Sequence, residues 1–171
     1  MKTSSKKLAL TGIILALALI IGTIENYLPP IIPFLPFVKI GFSNVAILFS
    51  CVTLGFLPTI TITIFKSVLV PIFVGNPIMI AYSLTASLFS VSISYLLLYT
   101  KKVGIPTVGI IGAILNNLIQ LCVASLIMSD PFVFGFIPYL TATGFLAGLI
   151  TGIISYLLIR YMPKEIMLME N

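Results

Sequence analysis

Histidine and tryptophan are missing from all 171 residues, aspartate occurs once, at Asp130, and charged residues make up only 8%. Each shortage excludes something. Without histidine, imidazole metal sites and histidine general-base catalysis fall away together. A single aspartate cannot build the carboxylate cluster that holds magnesium on a diphosphate leaving group. No G-x-x-x-x-G-K-[ST] segment occurs, so the chain carries no phosphate-cradling loop for hydrolysing ATP itself. Cys51 and Cys122 lie in apolar runs, where a thiol serves as a small packing residue, and neither a disulfide nor a metal site is expected. Serines are plentiful, but none stands at an obvious activating spacing from a lysine or acid, which leaves a nucleophile unsupported. The chain reads as a non-enzyme that needs no cofactor.

What the sequence has instead is hydrocarbon. Sixty per cent of it is hydrophobic and its mean hydropathy is +1.25, whereas a soluble domain carries about 25% charged residues. Such a chain cannot cover a globule with polar surface, so its solvent is lipid. The net charge of +5 does not indicate a nucleic-acid partner. Seven of the nine basic residues sit in flanks and short loops, the distribution of a topology signal rather than of a phosphate-binding patch.

Six apolar stretches, at Leu8–Leu28, Ile40–Leu57, Pro58–Val74, Ile78–Tyr99, Ile105–Met128 and Phe136–Tyr161, approach the roughly 20 residues that cross a bilayer. Residues 40–74 are too long for one helix, and Pro58 is suited to open a new one. The first stretch follows Lys2, Lys6 and Lys7 as a signal peptide would. No small-residue cleavage site comes after it, and it is expected to be a retained helix. With both ends inside, Lys2, Lys6, Lys7, Lys101, Lys102, Arg160 and Lys164 are cytoplasmic, against Lys39 outside. The expected fold class is therefore an all-α integral membrane protein, a single domain of six transmembrane helices with cytoplasmic N- and C-termini.

Small residues suggest how the helices meet. Gly12 and Ala16, then Ala18 and Gly22, punctuate the first span, and Gly144, Gly148 and Gly152 recur at four-residue spacing in the last. Such faces permit close approach in lipid, either within the bundle or against a partner membrane protein. The connection "LPPIIPFLPFVK" carries Pro29, Pro30, Pro33 and Pro36; it cannot be regular helix and is expected to fold over the outer mouth.

The polar residues are the informative minority. Glu25 and Asn26 lie near the outer end of the first span and Lys39 at the outer entrance of the second, with Asn44 about 1.5 turns further in. Lys66 is close to mid-span in the third, and Asn116, Asn117 and Gln120 are in the middle of the fifth. A lysine at mid-membrane costs roughly 2.5–3.5 kcal/mol on insertion scales, so it needs a partner or a function. One reading is an internal Lys66–Glu25 ion pair with the amides bracing helices. The other is a hollow open to the outside, where Lys39 and Lys66 meet an anionic or strongly polar solute and the amides orient it. One acid, two lysines and several amides at one depth exceed what cohesion needs, and the hollow is preferred.

The segments "IENYLPP" (24–30), "VKIGFSNVAIL" (38–48), "FKSVLVPIFVG" (65–75) and "GAILNNLIQ" (112–120) together resemble the heptaprenyl diphosphate synthase component I, or Gx transporter, family. That family is in turn similar to the S-components of energy-coupling factor (ECF) transporters. The resemblance spans nearly the whole chain and falls on Glu25, Asn26, Lys39, Gly41, Asn44, Lys66, Asn117 and Gln120. One departure is that the family pattern places a histidine before the asparagine at 117. Asn116 stands there instead, keeping hydrogen bonding but losing titration. The resemblance implies a prokaryotic cytoplasmic-membrane subunit that binds a small molecule from outside. It would associate with an ECF transmembrane coupling subunit and ATPases, with Gly12 and Ala16 as the docking face. Two alternatives stand beside it: a non-catalytic membrane component assisting heptaprenyl diphosphate synthesis, and a stand-alone carrier.

Overall fold

The structure, a computed structural model, describes residues 2–28 and 41–162. All its regular elements are helical: α1 (Lys2–Tyr27), α2 (Ser43–Thr53), α3 (Phe56–Phe73), α4 (Met79–Tyr99) and α5 (Ile105–Met128), then a 3-10 turn (Pro131–Phe136) leading into α6 (Ile137–Tyr161). The distribution of polarity is inverted relative to a water-soluble protein. Leu8, Ile13, Leu57, Phe89, Leu126 and Phe132 face outward, while Glu25, Ser50, Thr59, Thr63, Lys66, Ser67 and Asn117 are buried. This arrangement fits a hydrocarbon solvent, which accepts apolar side chains and rejects unpaired polar ones.

Five helical segments are long and apolar enough to cross a membrane: Ser5–Tyr27, Phe56–Phe73, Met79–Tyr99, Ile105–Met128 and Pro131–Tyr161. The expectation of six full spans is corrected at the second. Residues 40–57 were expected to cross, but α2 has only 11 residues, about 16 Å of helix against a hydrocarbon core of about 30 Å. Backbone conformation sets both limits. Gly41 and Gly55 hold φ of +80° and +82°, a left-handed region that a helix cannot pass through. α3 accordingly begins at Phe56, two residues ahead of the expected Pro58, which falls in the first turn, where its missing N–H goes unneeded.

α2 lies inside the bundle, packed on α1, α3, α4 and α6. Ser50 and Thr59 share a 2.8 Å hydrogen bond that ties α2 to α3. Ser155 of α6 donates to the Val45 carbonyl at 3.4 Å. The tightest contact joins α5 and α6. A methyl added at Gly148 would stand 2.5 Å from Ile110 Cα and 2.6 Å from the Gly109 carbonyl oxygen, and one at Gly152 would stand 2.7 Å from Pro106 Cα. Here backbone lies directly on backbone, so the Gly144, Gly148 and Gly152 face is an internal seam. α1 divides its small residues differently: Ala18 and Gly22 are buried in the bundle, whereas Gly12 and Ala16 are exposed.

Asp130 caps the 3-10 turn, its Oδ1 accepting the Phe132 N–H at 2.9 Å. Cys51 is buried and Cys122 exposed, both as free thiols. The proline-rich connection and Lys39 lie outside the described residues.

Candidate functional site

At the end of the bundle where α1 finishes and α2 begins, the helices surround a hollow of about 80 Å3. α1 contributes Gly22, Glu25 and Asn26, α2 contributes Ser43 and Asn44, and α3 contributes Lys66, Val70 and Pro71. α4 adds Met79, Tyr82, Ser83 and Ser87, α5 adds Ala113, Asn116, Asn117 and Gln120, and α6 adds Ala147. Seven of the eight residues singled out as solute-contacting from the sequence thus line one hollow: Glu25, Asn26, Asn44, Lys66, Asn116, Asn117 and Gln120. The eighth, Lys39, lies outside the described residues, and Gly12 and Ala16 stand apart on the exposed side of α1.

The two charges have separate partners. Glu25 is 6% exposed and its Oε1 accepts the backbone N–H groups of Gly41 and of Phe42, the latter at 3.2 Å. Those N–H groups open α2, so the carboxylate sits where the helix dipole is positive and where donors have no helical partner. Lys66 is 8% exposed. Its Nζ donates to Asn44 Oδ1 at 3.1 Å, and among the described residues no carboxylate lies within 4 Å of it. An ammonium has three donors, and a single neutral amide leaves two for another partner. Lys66 and Glu25 therefore face the same hollow without forming a direct pair.

The amides divide by task. Asn117 Nδ2 donates to the Leu140 carbonyl at 3.1 Å, tying α5 to α6. Asn26 Nδ2 donates to the Gly22 carbonyl at 2.6 Å on its own helix. Asn116 and Gln120, one turn apart on α5, have no side-chain hydrogen bond among the described residues, and the Gln120 Oε1 is fully buried. A buried acceptor left alone costs about 1–3 kcal/mol; among the described residues the Ser67 Oγ is in the same state. Pro71, in the last turn of α3, has no N–H to offer the Ser67 carbonyl.

Sequence reasoning overlooked the contribution of α4. Ser83, Ser87, Ser90 and Ser94 recur at intervals of four, three and four, which places them on one helical face. That spacing was readable in the sequence. Tyr82 and Ser43 had no comparable signal; Gly22 belonged to the small-residue spacing of the first span, and a methyl there would stand 3.1 Å from Val70 Cγ2.

Helices with an apolar exterior and a buried, charge-bearing hollow define a polytopic membrane protein with an internal polar site. Its relatives can now be stated. The chain matches the family described as heptaprenyl diphosphate synthase component I over residues 14–158, most of its length, and belongs to that family. Comparison with curated proteins and with solved structures gave no match.

Proposed function

We propose that this chain is the solute-binding membrane subunit of an uptake system, taking a small anionic or strongly polar molecule from outside. A transmembrane coupling subunit and partner ATPases of the ECF type would supply the energy. The observation that carries this reading is Lys66, a buried cation with one neutral partner, facing the unbonded amides of Asn116 and Gln120 across a hollow. Orientation supports it as well. Lys6, Lys7, Lys101, Lys102 and Arg160 cluster at the end of the bundle opposite the hollow, and under the positive-inside rule that end is cytoplasmic. No residue in the hollow combines a nucleophile with an activating base, and binding is the chemistry its side chains can perform.

The test is Lys66→Met in protein purified from its host membrane. The substitution keeps the stem's volume and should abolish retained solute, read by native mass spectrometry, while thermal stability stays at or above that of the parent. Unchanged solute retention would reduce Lys66 to a structural group.

A second reading is favoured by the family description. The words "component I" imply a further component, and the chain would then be a non-catalytic membrane partner in heptaprenyl diphosphate synthesis. Affinity purification from native membranes separates the two: ATPases and a coupling subunit support the first, a soluble prenyl diphosphate synthase the second. Under the first reading Gly12 and Ala16, on the exposed side of α1, are the place for the coupling subunit to dock.

A further inference from the structure

The hollow has a continuation. A second cavity of about 40 Å3 shares Asn44, Ser87, Ala113 and Asn116 with the first. From those four side chains its lining moves consistently along every helix. On α2 it runs to Cys51, on α4 to Ser94, on α5 back to Val108, and on α6 it takes Thr151 where the first takes Ala147. Seven residues of helix on α2 and on α4 correspond to about 10 Å. The displacement is away from Glu25 and Lys66 toward the end bearing the basic residues, between α2 on one side and α4 and α5 on the other.

The two cavities differ in chemistry. Around the first stand a cation, an anion and free amides. Below the shared neck the walls are Ile47, Leu48, Cys51, Val91 and Val108, with the bare backbone of Gly109 and Gly112. The hydroxyls there are mostly committed: Ser90 donates to the Gly112 carbonyl at 2.7 Å and Thr151 to the Gly148 carbonyl at 3.3 Å. Ser94, 7% exposed, is the one hydroxyl below the neck with no hydrogen bond among the described residues. A water held in a protein interior needs two to four polar partners, and one hydroxyl does not supply them. The lower cavity suits an apolar occupant, and its narrowness suits a slender one.

We propose that the two cavities form one site for an amphipathic anion, whose charged head lies beside Lys66 and whose thin apolar tail runs past Asn44 and Asn116 into the slot between α2, α4 and α5. This rests on the solute-binding reading above and names the class of solute. A compact hydrophilic anion would fill only the upper part.

The experiment measures binding of two graded series, n-alkyl phosphates and n-alkyl carboxylates from methyl to hexyl, to the purified full chain in nanodiscs, beside inorganic phosphate. In at least one series the affinity should rise about threefold to fourfold per added methylene, the factor expected when each CH2 leaves water. Val91→Phe, which fills only the lower cavity, should keep the affinity for the methyl member and flatten the rise. Ile47→Phe serves in its place if the first variant does not fold, and retained methyl-member binding shows that either is intact. A flat series in the parent protein overturns the two-part site and leaves the solute-binding reading standing. A rise that survives both substitutions also overturns it, since the tail must then lie elsewhere. Failure of every member, methyl included, falls on the anion reading of Lys66 itself and takes the two-part site with it.

Discussion

Glu25 allows the most demanding test of how the site is built. Its Oε1 accepts two backbone N–H groups at the start of α2, and the residue is almost fully buried. In Glu25→Ala both donors lose their acceptor. Leaving a buried donor unmet costs about 1–3 kcal/mol, so two give about 2–6 kcal/mol. At about 2–4 °C per kcal/mol for a chain of this size, the melting temperature should fall by about 4–24 °C. Glu25→Gln keeps an oxygen in place but removes the charge. Bonds to charged acceptors exceed neutral ones by about 1 kcal/mol each, which gives about 2 kcal/mol and a fall of about 4–8 °C. Buried Cys51 supplies the assay: in a Cys122→Ser background, a fluorogenic thiol dye reports the temperature at which Cys51 becomes reachable. The expected order is parent, then Gln, then Ala. If Glu25 served chiefly as the counter-charge of Lys66, Gln and Ala would lose alike and adding Lys66→Met would restore stability. That outcome, or two variants melting within a degree of the parent, would refute the role assigned here.

Other predictions concern packing. Gly148→Ala should destabilise by about 1–3 kcal/mol, because the new methyl meets the α5 backbone, whereas Gly12→Ala, with nothing within 4 Å of the added carbon, should stay within about 0.5 kcal/mol of the parent; thermal melts of the pair check both. Gly41→Ala combines a φ of +80° with an approach of 2.8 Å to Asn44 Nδ2, so it should lose at least about 1 kcal/mol and weaken solute retention by displacing Asn44. A single cysteine placed at Lys102 should be labelled by a membrane-impermeant maleimide only after cells are opened, since that loop is assigned to the cytoplasm; labelling in intact cells would invert the topology.

Much of this was legible because membrane physics leaves few options. α5 occupies Ile105–Met128, the bounds read from hydropathy alone, and α4 starts one residue from its expected position. The convergence of Glu25, Asn44, Lys66 and the α5 amides was foreshadowed by their common depth. Hydropathy could not show that α2 is half-length. Residues 40–57 are mostly apolar, and a buried half-helix is as greasy as a full span; what ends it is φ at two glycines. Small-residue spacing was equally blind to surroundings. Gly144, Gly148 and Gly152 meet a neighbouring backbone, while Gly12 and Ala16 are exposed among the described residues, although both sets repeat every four residues. The partnership of Glu25 with Gly41 and Phe42 was hidden as well, because its donors are backbone N–H groups 16 and 17 residues along the chain, which no side-chain type announces.

The glycine seam between α5 and α6 divides the walls of the hollow into two mechanical kinds. With their main chains in contact, these helices form a stiff plate that cannot part without losing the whole seam, and Asn116, Asn117 and Gln120 are mounted on it. Lys66, Asn44 and Glu25 belong to the opposite side, where side chains rather than bare backbone fill the joints between α1, α2 and α3. Under the solute-binding reading, entry and exit would be a movement of that side against a fixed anvil, with Lys66, Glu25 and Asn44 travelling and the α5 amides staying still.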